Sequence, residues 1–187
     1  MALQPRNLSL SFLEIVICTE RLRLAPIAQE HIADIFESFS PNITRYMVPK
    51  PATDIAETKA FVESSYAALE AQTDIQLAIC DKQDGRFLGV CGLHARGNEL
   101  EPELGIWLRS EAHGRRLGLE AIEGLIVWAS TNIACSGFRY PVSRVNTSSR
   151  KLAERLGGRI VEERESQSMR DTTLDEVVYA IPLHRGG

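Results

Sequence analysis

The sequence predicts an α/β fold, α+β by a stricter naming, in which a mixed β-sheet is covered by helices. Three observations predict it. Segments with two-residue hydrophobic alternation interleave with segments of helical spacing in the order β-α-α-β-β-β-α-β-α-β-β. Strands cluster ahead of a helix that crosses over to a further strand, the arrangement of a sheet with helical layers. The 187 residues are 44% hydrophobic and 25% charged, an ordinary composition for one globular unit able to bury its own core. Residues 1–14 are expected to form an N-terminal arm, loose over 1–13, and residues 15–187 a single domain.

The first strand is expected over 15–27, where Leu22 and Leu24 share one face, Arg21 and Arg23 take the other, and Pro26 closes the segment. Ile32, Ile35, Phe36 and Phe39 fall at helical spacing over 28–39. Three prolines make 40–54 a loop, in which Tyr46 and Met47 are pocket linings or plain hydrophobic anchors. A helix over 54–72 starts at Asp54 with Glu57 three residues on, close to a capping box, and should turn Phe61, Tyr66 and Leu69 inward. IQLAIC (75–80) and RFLGVCGLHA (86–95) are strands joined by the hairpin signal DKQDG. LEPELGIWLR (100–109) is the next strand, and Gly105 within it suggests a bulge or a close backbone approach. Ile122, Leu125, Ile126 and Ala129 carry a helix near 119–132. A strand at 137–143, a helix capped at both ends over 146–158, and strands at 159–166 and 173–183 complete the order.

A net charge of −4 and a pI of 5.6 argue against a nucleic-acid binder, which needs a basic face. Cys18, Cys80, Cys91 and Cys135 form no C-x-x-C pair and sit among apolar neighbours, so they read as small buried hydrophobes in a reducing compartment. Cys91 and His94 share a segment without further ligands nearby, and no metal site is expected. The N-terminus lacks a clean apolar signal region, and no stretch approaches the roughly 18–20 apolar residues of a membrane span, which leaves a cytoplasmic location as the expectation.

The chemistry concentrates at AHGRRLGLEAI, residues 112–122. A helix N-terminus offers backbone N–H groups without partners and about half a positive charge. Gly114 and Gly118 let that backbone bend and approach a ligand, and Arg115 and Arg116 add fork-shaped donors suited to phosphate oxygens. The corner is thus either an anion seat or a plain turn with solvated charges. Neither G-x-x-x-x-G-K-[ST] nor G-x-G-x-x-G is present.

PELGIWLRSEAHGRRLGLEA followed by YPVSRVNTSSRKLAERLGG, with TERLRLAPI and GRFLGVCGL, resembles the GNAT superfamily of acyl-CoA N-acyltransferases, in its ribosomal-protein N-acetyltransferase branch. The likeness covers most of residues 15–183. It implies a mostly antiparallel sheet of about seven strands flanked by four helices, splayed between strands 4 and 5, forming an acyl-CoA N-acyltransferase domain. It also implies acetyl-CoA as co-substrate without a metal, and an acceptor that is a small-molecule amine or a protein N-terminus. A homodimer is a further expectation, with no nucleic acid or membrane as partner. The family loop Q/R-x-x-G-x-G/A, whose amides bind the coenzyme A pyrophosphate, maps to His113, Gly114, Arg115, Arg116, Leu117 and Gly118. His113 replaces the first Gln or Arg, and Arg116 replaces the central Gly, where a positive φ would cost about 1 kcal/mol or more. By the same likeness the main chain of Ile106, Trp107 and Leu108 pairs with the pantetheine arm, as an added strand would. Asn146 hydrogen-bonds that arm, although an Asn there is also a good helix N-cap.

Acetyl transfer to an amine requires a neutral amine, a polarised thioester carbonyl and a stabilised thiolate. Three candidates follow. Glu103 matches a carboxylate that works through water in the family, or is a solvated edge charge. His94, on the preceding strand, is a second possible base or a satisfied surface histidine. Ser149 is a donor to the departing thiol or a capping serine. A backbone N–H around Leu108 would hold the oxyanion, and the Tyr acid of many relatives maps to Ala153, so that acid is missing. The alternatives are a non-catalytic acyl-CoA-binding or sensor module on the same fold, and a structural partner protein.

Overall fold

A computed structural model of the chain describes residues 2–96 and 98–183. Its strands are β1 (Ile17–Cys18), β2 (Leu22–Pro26), β3 (Asp74–Asp81), β4 (Phe87–His94), β5 (Glu103–Leu108), β6 (Gly137–Ser143), β7 (Arg159–Gln167) and β8 (Thr173–Pro182). The helices are α1 (Ile32–Ser38), α2 (Ile55–Glu70), α3 (Leu117–Asn132) and α4 (Thr147–Arg155). The strands form one sheet in the order β1-β2-β3-β4-β5-β6-β8-β7. Every pair is antiparallel except β5 and β6, which α3 connects as a parallel crossover. The mixed sheet with four helices is the architecture the sequence predicts.

The eighth strand comes from the first predicted one, which is folded in two. Thr19 donates its amide to Leu22 O and accepts the Leu22 amide on its hydroxyl, so the chain reverses and Ile17 pairs with Leu24. Gly105 makes no bulge. It stands opposite Gly92 in unbroken register, and a Cβ there would meet the His94 ring at 3.4 Å and no backbone. The register shifts lie elsewhere, at Ile79/Cys80 and at Ile160/Glu162.

The inward face of α2 also differs from expectation. Thr58, Val62, Ser65 and Leu69 are buried, whereas Phe61 is 37% and Tyr66 50% exposed. The small residues let the helix lie close to the sheet, and Ser65 satisfies its hydroxyl on Phe61 O at 2.8 Å. Leu69 faces inward as predicted.

Two apolar clusters flank the sheet. The larger packs α3 and α4 on one face and includes Leu125, Ile126, Phe138 and Tyr179. The smaller joins Ile35 of α1 and Val62 of α2 to Phe87 and Val90 of β4, with Phe39 and Trp107 against it. The N-terminal segment is part of the larger cluster: Leu3 and Phe12 are buried, and Phe12 meets the Trp128 ring edge-on at 6.2 Å. Backbone bonds from Leu3 to Gln72 O and from Arg6 to Asn132 O fix it further. The described part of the arm is therefore docked rather than loose, because its apolar side chains have a core to enter. All four cysteines are free; Cys91 and Cys135 are buried, Cys80 is half-buried, and Cys18 is exposed, against expectation. Among the described residues no helix is long and apolar enough to cross a membrane.

Docking of the arm is testable. Phe12→Ala should destabilise the chain by about 3 kcal/mol in urea unfolding, the usual cost of a buried aromatic truncation. A change below about 0.5 kcal/mol would show that the arm contributes little to the core.

Candidate active site

β5 runs beside β4 along its length but meets β6 at one paired position, Glu103 with Arg139. Antiparallel ladders alternate the direction of their main-chain groups. Arg109 donates to Leu88 O, so Trp107, Gly105 and Glu103 turn toward β4, and Leu104, Ile106 and Leu108 turn toward β6. Past Glu103 there is no strand to receive them. The main chain of Ile106 and Leu108 therefore borders an open gap, while Trp107 is held by β4 and packs its ring against Phe39 and Phe87.

The basic corner follows. Ser110–Ala112 make one 3-10 turn, and His113 donates its amide to Ser110 O. The His113 ring donates from Nε2 to Leu108 O at 3.0 Å, closing the corner onto the end of β5. From Gly114 to Leu119 no amide donates to an acceptor among the described residues. Gly114 has φ +74° with open space where a side chain would project. Arg116 sits at φ +61°, ψ 15°, so the left-handed conformation is imposed on an Arg where glycine would be unstrained. The Arg115 and Arg116 side chains are exposed and have no acidic partner among the described residues. Gly118 lies against Leu108, Ile106 and Leu152 side chains at 3.4–3.6 Å from where its Cβ would be, which seats the start of α3 on β5.

The corner is tied down from outside. Glu120, in the first turn of α3, accepts from the Thr19 hydroxyl at 2.5 Å, from the Arg21 amide at 2.8 Å and from Arg21 Nε at 2.7 Å. Arg21 Nη1 also donates to Arg115 O. Burial opposes the Glu120 charge, but these bonds outweigh it and hold the carboxyl below its ordinary value of 4.5.

On the α1–α2 face a cleft of about 650 Å³ opens over β4, β5 and β6. Phe36, Phe39, Phe61, Trp107, Tyr46 and Met47 line its apolar side, so the latter two do reach a pocket. The β7–β8 turn closes one wall: Met169 donates to Val48 O, and Arg170 donates to Thr44 O at 2.6 Å. The cleft also reaches Gly105, Ile106, Asn146 and Ser149 at the gap.

Glu103 lies in this cleft within an ion-pair network. Its Oε1 is 3.3 Å from Arg164 and its Oε2 is 3.5 Å from Arg96, and Arg164 also donates to buried Glu176. His94, directly across from Glu103, bonds through Nδ1 to Asp74 Oδ1 at 2.8 Å. That bond from His94 outweighs burial and lowers the Asp74 carboxyl from its ordinary value. Asn146 caps α4, accepting the Ser149 amide on Oδ1 at 3.2 Å, which leaves its Nδ2 without a partner among the described residues. Ser149 Oγ meets Tyr140 Oη at 2.7 Å, and burial raises the Tyr140 hydroxyl above its ordinary value. Ala153 is fully buried.

The structure thus brings His94, Glu103, Ile106, Asn146 and Ser149 to one cleft, with the corner 113–118 at the far end of β5. Sequence reasoning missed Asp74, Glu120 and Tyr140. Asp74 was out of reach, since the predicted hairpin register extends to Asp74 opposite Gly92, and it is the shift at Ile79/Cys80 that brings Asp74 opposite His94. Among the described residues no group of three or more His, Cys, Asp or Glu is placed to hold a metal ion.

A family model described as an acetyltransferase (GNAT) domain matches residues 21–159. No curated protein matches the chain. Among solved structures, the ribosomal L7/L12 α-N-protein acetyltransferase RimL in complex with coenzyme A superposes with a TM-score of 0.81 at 15% identity, over 90% of this chain and 98% of that one. The Salmonella typhimurium acetyltransferase that modifies the N-terminal serine of L7/L12 gives 0.79 at 14% identity, over 90% and 99%. The microcin C7 self-immunity acetyltransferase MccE, in complex with acetyl-CoA and AMP, gives 0.78 at 18% identity, over 88% and 93%. At these identities the likeness is one of fold.

Two outcomes are expected at the corner. Arg116→Gly should raise stability by about 1 kcal/mol by removing left-handed strain, and Arg116→Val should lower it, both read by urea unfolding. Glu120→Gln should cost about 1 kcal/mol at neutral pH. Because the folded Glu120 value is lowered, the wild-type advantage is complete above 4.5 and disappears as pH falls through the folded value; a gap constant down to strong acid would contradict the assignment.

Proposed function

Since the chain belongs to the GNAT acetyltransferase family, we propose that it moves the acetyl group of acetyl-CoA to a primary amine by direct attack in a ternary complex. The observation that carries this is the run of unpartnered amides from Gly114 to Leu119, at the N-terminus of α3 beside two unpaired guanidiniums. Such a corner supplies donors, partial positive charge and full charge to a pyrophosphate. Ile106 and Leu108 offer main-chain groups to the pantetheine amides, in the manner of strand addition. Asn146 Nδ2 is available to the same arm.

In the reaction, a gap-facing main-chain N–H of β5, at Ile106 or Leu108, receives the developing oxyanion. Ser149, hydrogen-bonded to Tyr140, protonates the departing thiolate, which supplies a hydroxyl pair where Ala153 cannot. The acceptor enters by the cleft under 40–54. Its aromatic lining suits an amine carried on an apolar group, either a small molecule or a protein N-terminus of the kind the L7/L12 enzymes modify. A cytoplasmic homodimer completes the proposal, with the free cysteines supporting the compartment. The strained Arg116 favours one competing reading, a module that binds acyl-CoA without turnover.

Incubation with acetyl-CoA and a panel of N-terminal peptides, amino acids, polyamines and antibiotic amines, with detection of free thiol, separates these readings. Thiol release matched by acetylated amine is the expected result, and Ser149→Ala should lower kcat by about 10²-fold. Calorimetric binding of acetyl-CoA without turnover would favour the binding module, and no binding of coenzyme A would remove both.

A further inference from the structure

We propose that Asp74 holds His94 as its Nδ1–H tautomer, so that His94 Nε2 is the base that takes the proton from the acceptor amine. The proposal deepens the transferase reading and rests on it. Asp74 and His94 face each other as register partners on β3 and β4, and their side chains meet at 2.8 Å. A carboxylate only accepts, so this bond requires the proton on Nδ1, and in the neutral ring it leaves Nε2 with a lone pair. Nε2 has no partner among the described residues. It looks along a floor cleared by two opposed glycines: a Cβ on Gly92 would come within 3.1 Å of Nε2, and one on Gly105 within 3.4 Å. The main chain at Ile106, where the thioester arm is proposed to lie, lines the same cleft.

The other groups near this floor are Gln76, Arg96 and Glu103. Glu103 gives one oxygen to Arg164 and the other to Arg96, whereas His94 Nε2 has no hydrogen-bond partner among the described residues. His94 also lines a second groove between α2 and β3, so an amine can reach it from outside the coenzyme gap. The step balances. The amine nitrogen bonds the thioester carbonyl carbon as its proton passes to Nε2, the carbon–sulfur bond breaks, and the thiolate takes a proton from Ser149. His94 then releases its proton to solvent and Ser149 regains one from solvent, leaving amide, free thiol and both side chains as they began.

The test uses the full chain and the best amine of the panel. His94→Gln should lower kcat by about 10²-fold or more, with KM for acetyl-CoA within about twofold, and imidazole in solution should partly rescue His94→Ala. Asp74→Asn should lower kcat by a similar factor while calorimetric coenzyme A binding stays intact, which shows that the variant is folded. The double variant should be no slower than His94→Gln, because the two act as a unit. Long-range ¹H–¹⁵N correlation should show the Nδ1–H tautomer in the wild type and its loss in Asp74→Asn. Near-wild-type kcat in His94→Gln, multiplicative losses in the double variant, or an Nε2–H tautomer would each overturn the dyad. A wild-type chain that binds acetyl-CoA yet acetylates no amine would instead overturn the transferase reading, and the base role with it.

Discussion

β5 pairs with β4 along its length and β6 with β8, yet β5 and β6 share a single paired position. The parallel crossover through α3 wedges this parting: Gly118 at the helix start rests on the Ile106 and Leu108 side chains, and Leu152 of α4 closes behind it. Those two residues thus pack half-buried side chains against the larger cluster and leave their main-chain groups at the gap. An unpaired main chain inside a sheet is costly unless water or a ligand satisfies it. The gap is therefore the feature from which the proposed binding chemistry follows.

The corner after β5 extends the same logic. Its amides are left free by the helix N-terminus, and its conformation is held by contacts that avoid those amides. His113 anchors to a carbonyl of β5, and Arg21 grips the Arg115 carbonyl together with the Glu120 carboxylate. Anchoring through carbonyls and side chains leaves the amides from Gly114 to Leu119 without an acceptor among the described residues. The left-handed Arg116 shows the same trade. Backbone strain is tolerated so that the turn keeps its shape while a guanidinium stands beside the amides.

The opposite arrangement holds in the cleft, where charges are paired and the lining is aromatic. Arg164 is shared by Glu103 and Glu176, and the strap from Arg170 to Thr44 joins the β7–β8 turn to the loop over the cleft. With Glu103 and Glu176 committed to arginines, the cleft also presents the His94 imidazole and the Ser149–Tyr140 hydroxyl pair. They lie on either side of the gap, His94 on β4 and Ser149 with Tyr140 on α4 and β6.

Local pattern was enough for the elements. Two-residue alternation and helical spacing are properties of consecutive residues, so the order of strands and helices and the corner at 113–118 were legible, as were Asn146 and Ser149 at the head of α4. The reversal at Thr19 was not, because both halves of 15–27 alternate and only pairing with β3 distinguishes one strand from two. The buried face of α2 was misjudged for a related reason. The sheet admits a stripe of small residues at Thr58 and Ser65 and leaves Phe61 to the cleft, a choice made by the spacing between layers rather than by hydrophobicity. The pairings of Asp74 with His94, Glu120 with Thr19 and Arg21, and Tyr140 with Ser149 join different elements of the fold. The sequence by itself determined which segments are strands and helices and where an anion could be held. The tertiary structure alone decided which side chains share a proton, because hydrogen bonds across elements depend on strand register and layer packing that no local pattern encodes.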